Sequence, residues 1–358
     1  MMRLLLLPVA LVLLAGCVRV NVHGDPAAYR RAMSDSDLRV ATYNASLYAD
    51  TAGGLVARLA NGDADARKVA AVLQRVRPDV VLINEFDFDP DGRAADLFQR
   101  DYLEVAQPGG GAALRYPYRY FAPVNTGVAS GLDLDGDGQV GAEGRAYGND
   151  AWGYGLHPGQ YGMLLLSRYP IDAAAARTFQ LLKWSAMPDA TRPRDPATGA
   201  YFHSDAVWSQ LRLSSKSHWD VPVRVGRDTV HVLASHPTPP SFDGSEDRNG
   251  RRNHDEIRFW ADYITGSRRG SWIRDDNGGT GGLLPGSRFV IMGDLNSDPQ
   301  DGDSWPGAAR QLLEHHRIQD PRPSSEGAVA AAAAQGGANT RHLGEHRFDT
   351  ADFTDQAP

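Results

Sequence analysis

The chain has 358 residues, 42% hydrophobic and 23% charged, which is enough for a large core and excludes a disordered chain. Its length allows two domains or one large α/β domain. The net charge of −7 supplies no basic face for nucleic acid, although a phosphodiester substrate stays open because a metal and local cations matter more there than total charge.

A single cysteine excludes an internal disulfide, and its position is informative. Met1 to Cys17 carries Arg3, an apolar run from Leu4 to Leu14, then Ala15-Gly16-Cys17. A positive start, an apolar stretch too short to span a bilayer and small residues before a cut site describe a secretory signal. Leu14-Ala15-Gly16-Cys17 resembles the bacterial lipobox, which implies lipidation of Cys17 and a soluble domain held at a cell envelope membrane. An ordinary signal peptide or a short anchor helix is the plainer alternative. The expected division is a signal at 1–17, a tether at 18–37 and one domain at 38–358, acting as a monomer.

Leu38 to Asn44 alternates as a half-buried strand. Between Asp63 and Arg75, residues Ala66, Val69, Ala70, Val72 and Leu73 fall at helical spacing, and Arg77-Pro78 closes the helix. Asp79 to Phe86 is a second buried strand that delivers Glu85 at its polar end. Strand, helix, strand suggests adjacent, largely buried strands.

Asp101 to Tyr161 reads as one long decorated connection. Within it Asp133, Asp135 and Asp137 place oxygens at alternate positions near Gly138, as in the first half of a calcium loop. The closing acid of an EF-hand is displaced, because Glu143 comes one position early and Gly144 stands in its place. Asn149 and Asp150 are candidates for the remaining oxygens of a structural Ca2+ site; a solvated acidic turn has the same composition. Trp152, Tyr154, His157 and Tyr161 fit the packing of a glycine-rich loop better than a substrate floor.

Met163 to Ser167 is another buried strand, Lys183 to Ser204 a proline-bearing surface loop, and Ala206 to Leu213 an alternating strand. Ser214 to Asp220 follows, in which Lys216 and His218 suit either a phosphate contact or a capped hairpin bend. Thr229 to His236 is a strand ending at His236, with His231 packed inside it. Arg248, Arg251 and Arg252 stand before a helix carrying Ile257, Trp260, Ala261 and Ile264, and suit an anionic substrate as well as ion pairs with Asp243, Glu246 and Asp247. A short helix is expected near Ala308 to Leu313, and Ala328 to Gly337 is a low-complexity surface excursion.

The stretch Phe289 to Pro299 organises the rest. Phe289 to Met292 is a buried strand, Gly293 permits a turn, and Asp294 and Asn296 at alternate positions can address one ligand. An Asp/Asn turn after a strand is the simpler alternative.

Thr42-Tyr43-Asn44, Asn84-Glu85, Gly162 to Ile171, Ser235 to Pro240 and Gly293 to Ser297 resemble, in that order, the endonuclease/exonuclease/phosphatase superfamily. The resemblance implies an α/β fold, a two-sheet β-sandwich flanked by helices, and a metal-dependent hydrolase of phosphoester bonds: phosphodiesterase, nuclease or phosphatase. It implies that Glu85 anchors Mg2+ or Mn2+, that Asn44 and Asp294 complete or orient the metal site, that Asn296 holds a phosphate oxygen, and that His236 bonds the phosphate and assists proton transfer. A non-catalytic calcium-binding surface lipoprotein with the same fold is the alternative. The family's closing Asp strand and Ser-Asp-His do not follow Asn296: His342 and His346 lie in a polar loop, and Asp349, Asp352 and Asp355 follow no strand-like run. The expectation is therefore that the final strands lie beyond this sequence, and that residues 1 to 358 alone hydrolyse little.

Overall fold

The computed structural model describes residues 37–266 and 268–351. The signal with Cys17, the tether up to residue 36, Asp352 and Asp355 lie outside the described residues. Eight strands form two four-stranded sheets among the described residues. The first contains β1 (Val40–Leu47), β2 (Val80–Phe86), β3 (Tyr118–Tyr120) and β4 (Met163–Ser167), in the spatial order β1-β2-β4-β3. The second contains β5 (Arg177–Thr178), β6 (His218–Val225), β7 (Asp228–Ser235) and β8 (Arg288–Met292), in sequential order.

Two of the pairings are parallel, β1 with β2 and β7 with β8, and the others are antiparallel. Strands covered on both faces need apolar side chains at every position, which is why β4 reads Met-Leu-Leu-Leu without alternation and is buried throughout. On β2 the period-two geometry divides the run: Val80 and Leu82 point between the sheets, whereas Val81 and Ile83 point outward to the helices. Val80, Leu82, Met163 and Leu165 thus meet Trp219, Val221, Val232 and Met292 in the central layer.

Helices α1 (Gly54–Ala60) and α2 (Ala64–Val76) cover the outer face of the first sheet. The Asp63 carboxylate caps α2 by accepting from the Ala66 N–H at 2.8 Å, and Arg77 ends it in the left-handed conformation. The long α3 (Arg248–Thr265) covers the second sheet through Ile257, Trp260, Ala261 and Ile264. The order helix, sheet, sheet, helix is the expected sandwich.

Several expectations are corrected. The alternating run from Ala206 to Leu213 is not a strand: a short helix spans Asp205–Trp208, because the Ser204 hydroxyl caps the Val207 N–H at 3.2 Å. The connection from Asp101 to Tyr161 contributes edge strand β3, and the 183–204 loop sends Trp184 and Met187 into the outer core. The alanine-rich excursion is a helix, α4 (Glu326–Gln335), since a run of the best helix former needs only the Ser325 cap to start it. The three arginines lie within α3 rather than before it. Among the described residues no helix is long and apolar enough to cross a membrane.

Leu82 is fully buried between the sheets. Replacing it with alanine is expected to lower stability by about 2–5 kcal/mol in urea unfolding followed by circular dichroism. A loss within error of zero would mean that the central layer is not packed as described.

Candidate active site

Parallel pairing places the ends of strands together, and here it does so twice. Asn44 pairs in register with Asn84, so Glu85 emerges beside Asn44. Ala234 pairs with Met292, so His236 and Asp294 emerge side by side from the other sheet. Asn84, fully buried, joins the two sheets: its side-chain oxygen accepts the Asp294 N–H at 3.2 Å, and its amide donates to the Ser235 carbonyl at 3.4 Å. All four ends open on one cleft of about 4390 Å3, lined among others by Asn44, Glu85, His236, Asp294 and Asn296.

The five expected residues are therefore brought together, although they span some 250 positions. The Asn44 amide nitrogen donates to Glu85 Oε1 at 2.9 Å and to Asp294 Oδ2 at 3.0 Å. One neutral donor thus holds two carboxylates from different sheets within reach of a common point. His236 Nε2 lies 3.9 Å from Asp294 Oδ2. The backbone is shaped for this convergence: Glu85 and Asn296 have φ of 58° and 49°, and Gly293 has φ of 146°. A Cβ at Gly293 would stand 1.9 Å from the Ser235 carbonyl oxygen, so the close approach of β7 and β8 requires glycine.

Asn296 departs from the expectation that it shares a direction with Asp294 along an extended segment. The chain turns instead: Asp294 Oδ1 accepts the Asn296 N–H at 3.0 Å, and the Asn296 amide reaches the Pro237 carbonyl at 3.1 Å. Both the turn and the convergence are present, because an Asx turn after the strand keeps Asn296 at the cleft.

His236 is 3% exposed, and its Nδ1 is buried without a hydrogen-bond partner among the described residues. Burial first, and then the charge of Lys216, hold its imidazolium well below the ordinary histidine range. His236 is consequently neutral at pH 7, with one ring nitrogen that donates and one that accepts.

Four supporting residues carry weak sequence signals. Asn84 was visible beside Glu85 but had no role of its own. Glu256 lies on α3 between the apolar positions Trp260 and Ile257 and the polar Asn253, a face that reads as core. Fully buried, its carboxylate accepts the Ser215 N–H at 2.7 Å, the Ser215 hydroxyl at 3.0 Å and the Thr238 N–H at 2.6 Å. It thereby fixes the loops bearing Lys216 and His236. Asn253 secures the other side, its amide donating to the Thr238 and Leu295 carbonyls at 2.8 Å each. Lys216 is the fourth, 6% exposed and lining the cleft.

Two carboxylates and a carboxamide form a hard oxygen set, and Mg2+ typically takes one or two protein carboxylates and keeps waters for the rest of its shell. Glu85 and Asp294 fit that ion, and Asn44, whose amide nitrogen faces both carboxylates while its Oδ1 accepts the Ser46 N–H at 3.1 Å, orients them. The arginines resolve differently. Arg248 pairs with Glu246, and Arg251 stacks on Trp305 at 4.0 Å. Arg252 donates to the carbonyls of Leu213, Trp152 and Arg212. The packing expected of the aromatic group holds for Trp152, which is buried, and for His157, whose Nε2 lies 2.9 Å from the Ala49 carbonyl. Tyr154 and Tyr161 face the cleft.

Away from the cleft mouth, the carboxylates of Asp133, Asp135 and Asp137 gather within 4.8 Å of one another. Asp150 is not among the carboxylates gathered there, and its two oxygens accept the Leu134 and Gly141 N–H groups at 2.6 and 2.8 Å. Asn149 turns its amide nitrogen to Asp135 at 2.8 Å. His342, His346 and Asp349 form a second such group at the surface, with His346 Nδ1 3.2 Å from Asp349.

Comparison with known proteins follows the same lines. A search of curated proteins returned no match. Among solved structures, an endonuclease/exonuclease/phosphatase from Beutenbergia cavernae DSM 12333 is 19% identical with a TM-score of 0.41, over 78% of this chain and 54% of that one. The chain thus spans about half the length of that protein. Sphingomyelinase C from Streptomyces griseocarneus is 20% identical with a TM-score of 0.39, over 78% of this chain and 69% of that one. A Staphylococcus aureus beta toxin variant with bound magnesium ions is 16% identical with a TM-score of 0.39, over 79% and 71%. The model of the Endonuclease/Exonuclease/phosphatase family matches residues 41–355. With that match covering most of its length, the chain belongs to the endonuclease/exonuclease/phosphatase family.

Proposed function

We propose that this protein is a divalent-metal-dependent phosphoester hydrolase held at a bacterial envelope membrane through Cys17. The observation that carries the hydrolase reading is the Asn44 amide joining Glu85 and Asp294 beside the buried His236. Glu85 anchors Mg2+, or Mn2+ in its place, and Asn44 and Asp294 complete or orient the site. When bound, the ion supplies positive charge to the phosphoryl oxygens and helps to position the substrate.

The chain's own residues do the rest. Hydrolysis forms a bond from a water oxygen to phosphorus, breaks the bond to the leaving oxygen, and passes the water's proton to that leaving oxygen. His236, locked by the Glu256-fixed loop, donates from its ring to a phosphoryl oxygen and assists the proton's transfer. An anionic phosphoryl group entering the cleft opposes the burial that keeps this imidazole neutral, so substrate raises its proton affinity. Asn296 holds a phosphoryl oxygen from the facing turn. Nuclease, phosphomonoesterase and lipid phosphodiesterase all fit this chemistry, since loops choose the substrate on such a scaffold.

With bis(p-nitrophenyl) phosphate, whatever turnover the protein shows, small as it is expected to be for residues 1 to 358, should rise with Mg2+ and saturate. Asp294→Ala and His236→Ala should each lower kcat by roughly a hundredfold or more. Turnover that ignores Mg2+, or survives both substitutions, would refute the reading. In parallel, Glu85→Gln should weaken Mn2+ binding followed by electron paramagnetic resonance, a readout independent of turnover.

The lipid anchor rests on the sequence around Cys17. Metabolic labelling with an alkyne fatty acid in a bacterial host is expected to tag the wild type and leave Cys17→Ala unlabelled and released from membranes. Equal fractionation of the two would remove the anchor from the proposal. A structural Ca2+ at Asp133, Asp135 and Asp137 belongs to the same reading. Calorimetric Ca2+ binding that persists unchanged in Asp133→Asn with Asp135→Asn would end it.

A further inference from the structure

Lys216 is a buried cation that the chemistry above does not use. It sits in the loop leading into β6, held on three sides. The Asn125 N–H donates to the Lys216 carbonyl at 2.8 Å, the Glu256 carboxylate holds the preceding Ser215, and Ser217 on the other side is fully buried. The backbone is therefore fixed, and the side chain, 6% exposed, reaches the same cleft as His236, Asp294 and Asn296. Its ammonium makes no hydrogen bond and no ion pair within 4 Å among the described residues. Arg252, the neighbouring buried cation, differs: three backbone carbonyls take its guanidinium.

An ammonium with three donors and no acceptor, on a residue only 6% exposed, is costly unless an anion meets it. The carboxylates facing it are Glu256, Glu85 and Asp294, and their attraction opposes the effect of burial, which pulls its pKa below the ordinary lysine range. Glu256 is taken up by Ser215 and Thr238. Glu85 and Asp294 are the two carboxylates assigned to the metal. A metal there removes the countercharge from Lys216, and the open side of the ammonium is the cleft.

We propose that Lys216 is the phosphate-binding cation of this cleft, its ammonium donating to a non-bridging oxygen of the bound phosphoryl group. The inference rests on the phosphoester reading and adds a residue to it. Lysine suits the position because a compact ammonium can address a single oxygen from a narrow, buried approach, where a planar guanidinium needs room for its fork. The same charge lies beside His236, so both groups address the same end of the cleft.

The test is calorimetric titration of inorganic phosphate into full-length protein, with and without Mg2+. Lys216→Met is expected to weaken phosphate binding roughly tenfold or more in both conditions, as loss of a charge-assisted hydrogen bond does. Lys216→Arg should recover part of the affinity. Mg2+ affinity of Lys216→Met, measured without phosphate, should hold or tighten, because a repelling cation has gone; this also reports an assembled site. Unchanged phosphate affinity in Lys216→Met with Mg2+ binding intact would overturn the assignment. So would joint loss of Mg2+ and phosphate binding in both variants, which marks a purely structural lysine, and so would absence of phosphate binding by the wild type in either condition. A wild type that binds phosphate through Lys216 but takes no Mg2+ counts against the metal-dependent reading and leaves the Lys216 assignment standing.

Discussion

The cleft depends on one side-chain nitrogen. Asn44 Nδ2 donates to carboxylates that belong to different sheets, Glu85 after β2 and Asp294 after β8. Two like charges so close repel unless something positive or donating stands between them, and a carboxamide is the mildest group that can do so without titrating. In this arrangement the amide contributes direction, and the two carboxylates contribute charge. Everything else at the mouth, from the left-handed backbone at Glu85 to the turn at Asn296, serves to keep these three side chains facing each other.

Beneath that layer a second set of polar groups ties the scaffold to the chemistry. Asn84 bridges the sheets, and Glu256 and Asn253 reach from α3 to the loops that carry Ser215, Thr238 and Leu295. A buried carboxylate such as Glu256 is tolerable because it is met by three donors; left unpaired it would be strongly destabilising. The helix that closes the outer core is therefore also the brace of the site, so packing along α3 and alignment at the cleft are not separable properties.

Much of this was readable from residue order alone. The five motifs whose order resembles the family's named Asn44, Glu85, His236, Asp294 and Asn296, and the structure supplies the parallel pairings that make Asn44 a neighbour of Glu85 and His236 a neighbour of Asp294. What sequence pattern could not supply was the direction of polar side chains inside apolar runs. Glu256 sits among Ile257 and Trp260 at helical spacing and looks like a misplaced charge until the loops it holds are visible. Lys216, flanked by serines, reads equally as a bend. The Ala206 to Leu213 run failed for another reason: alternation over a few residues is weak evidence, and a single capping hydroxyl at Ser204 outweighs it. The alanine run after Ser325 was judged by its low complexity, although its intrinsic propensity pointed to a helix.

The contact at Gly293 has an evolutionary corollary. With the Ser235 carbonyl only 1.9 Å from where a first side-chain atom would sit, that position admits no intermediate on a mutational path. Drift in neighbouring loops can reshape the rim of the cleft while the turn between strand and acid stays fixed. Diversification on this scaffold must therefore proceed around an immovable point, by remodelling the rim and never the pivot.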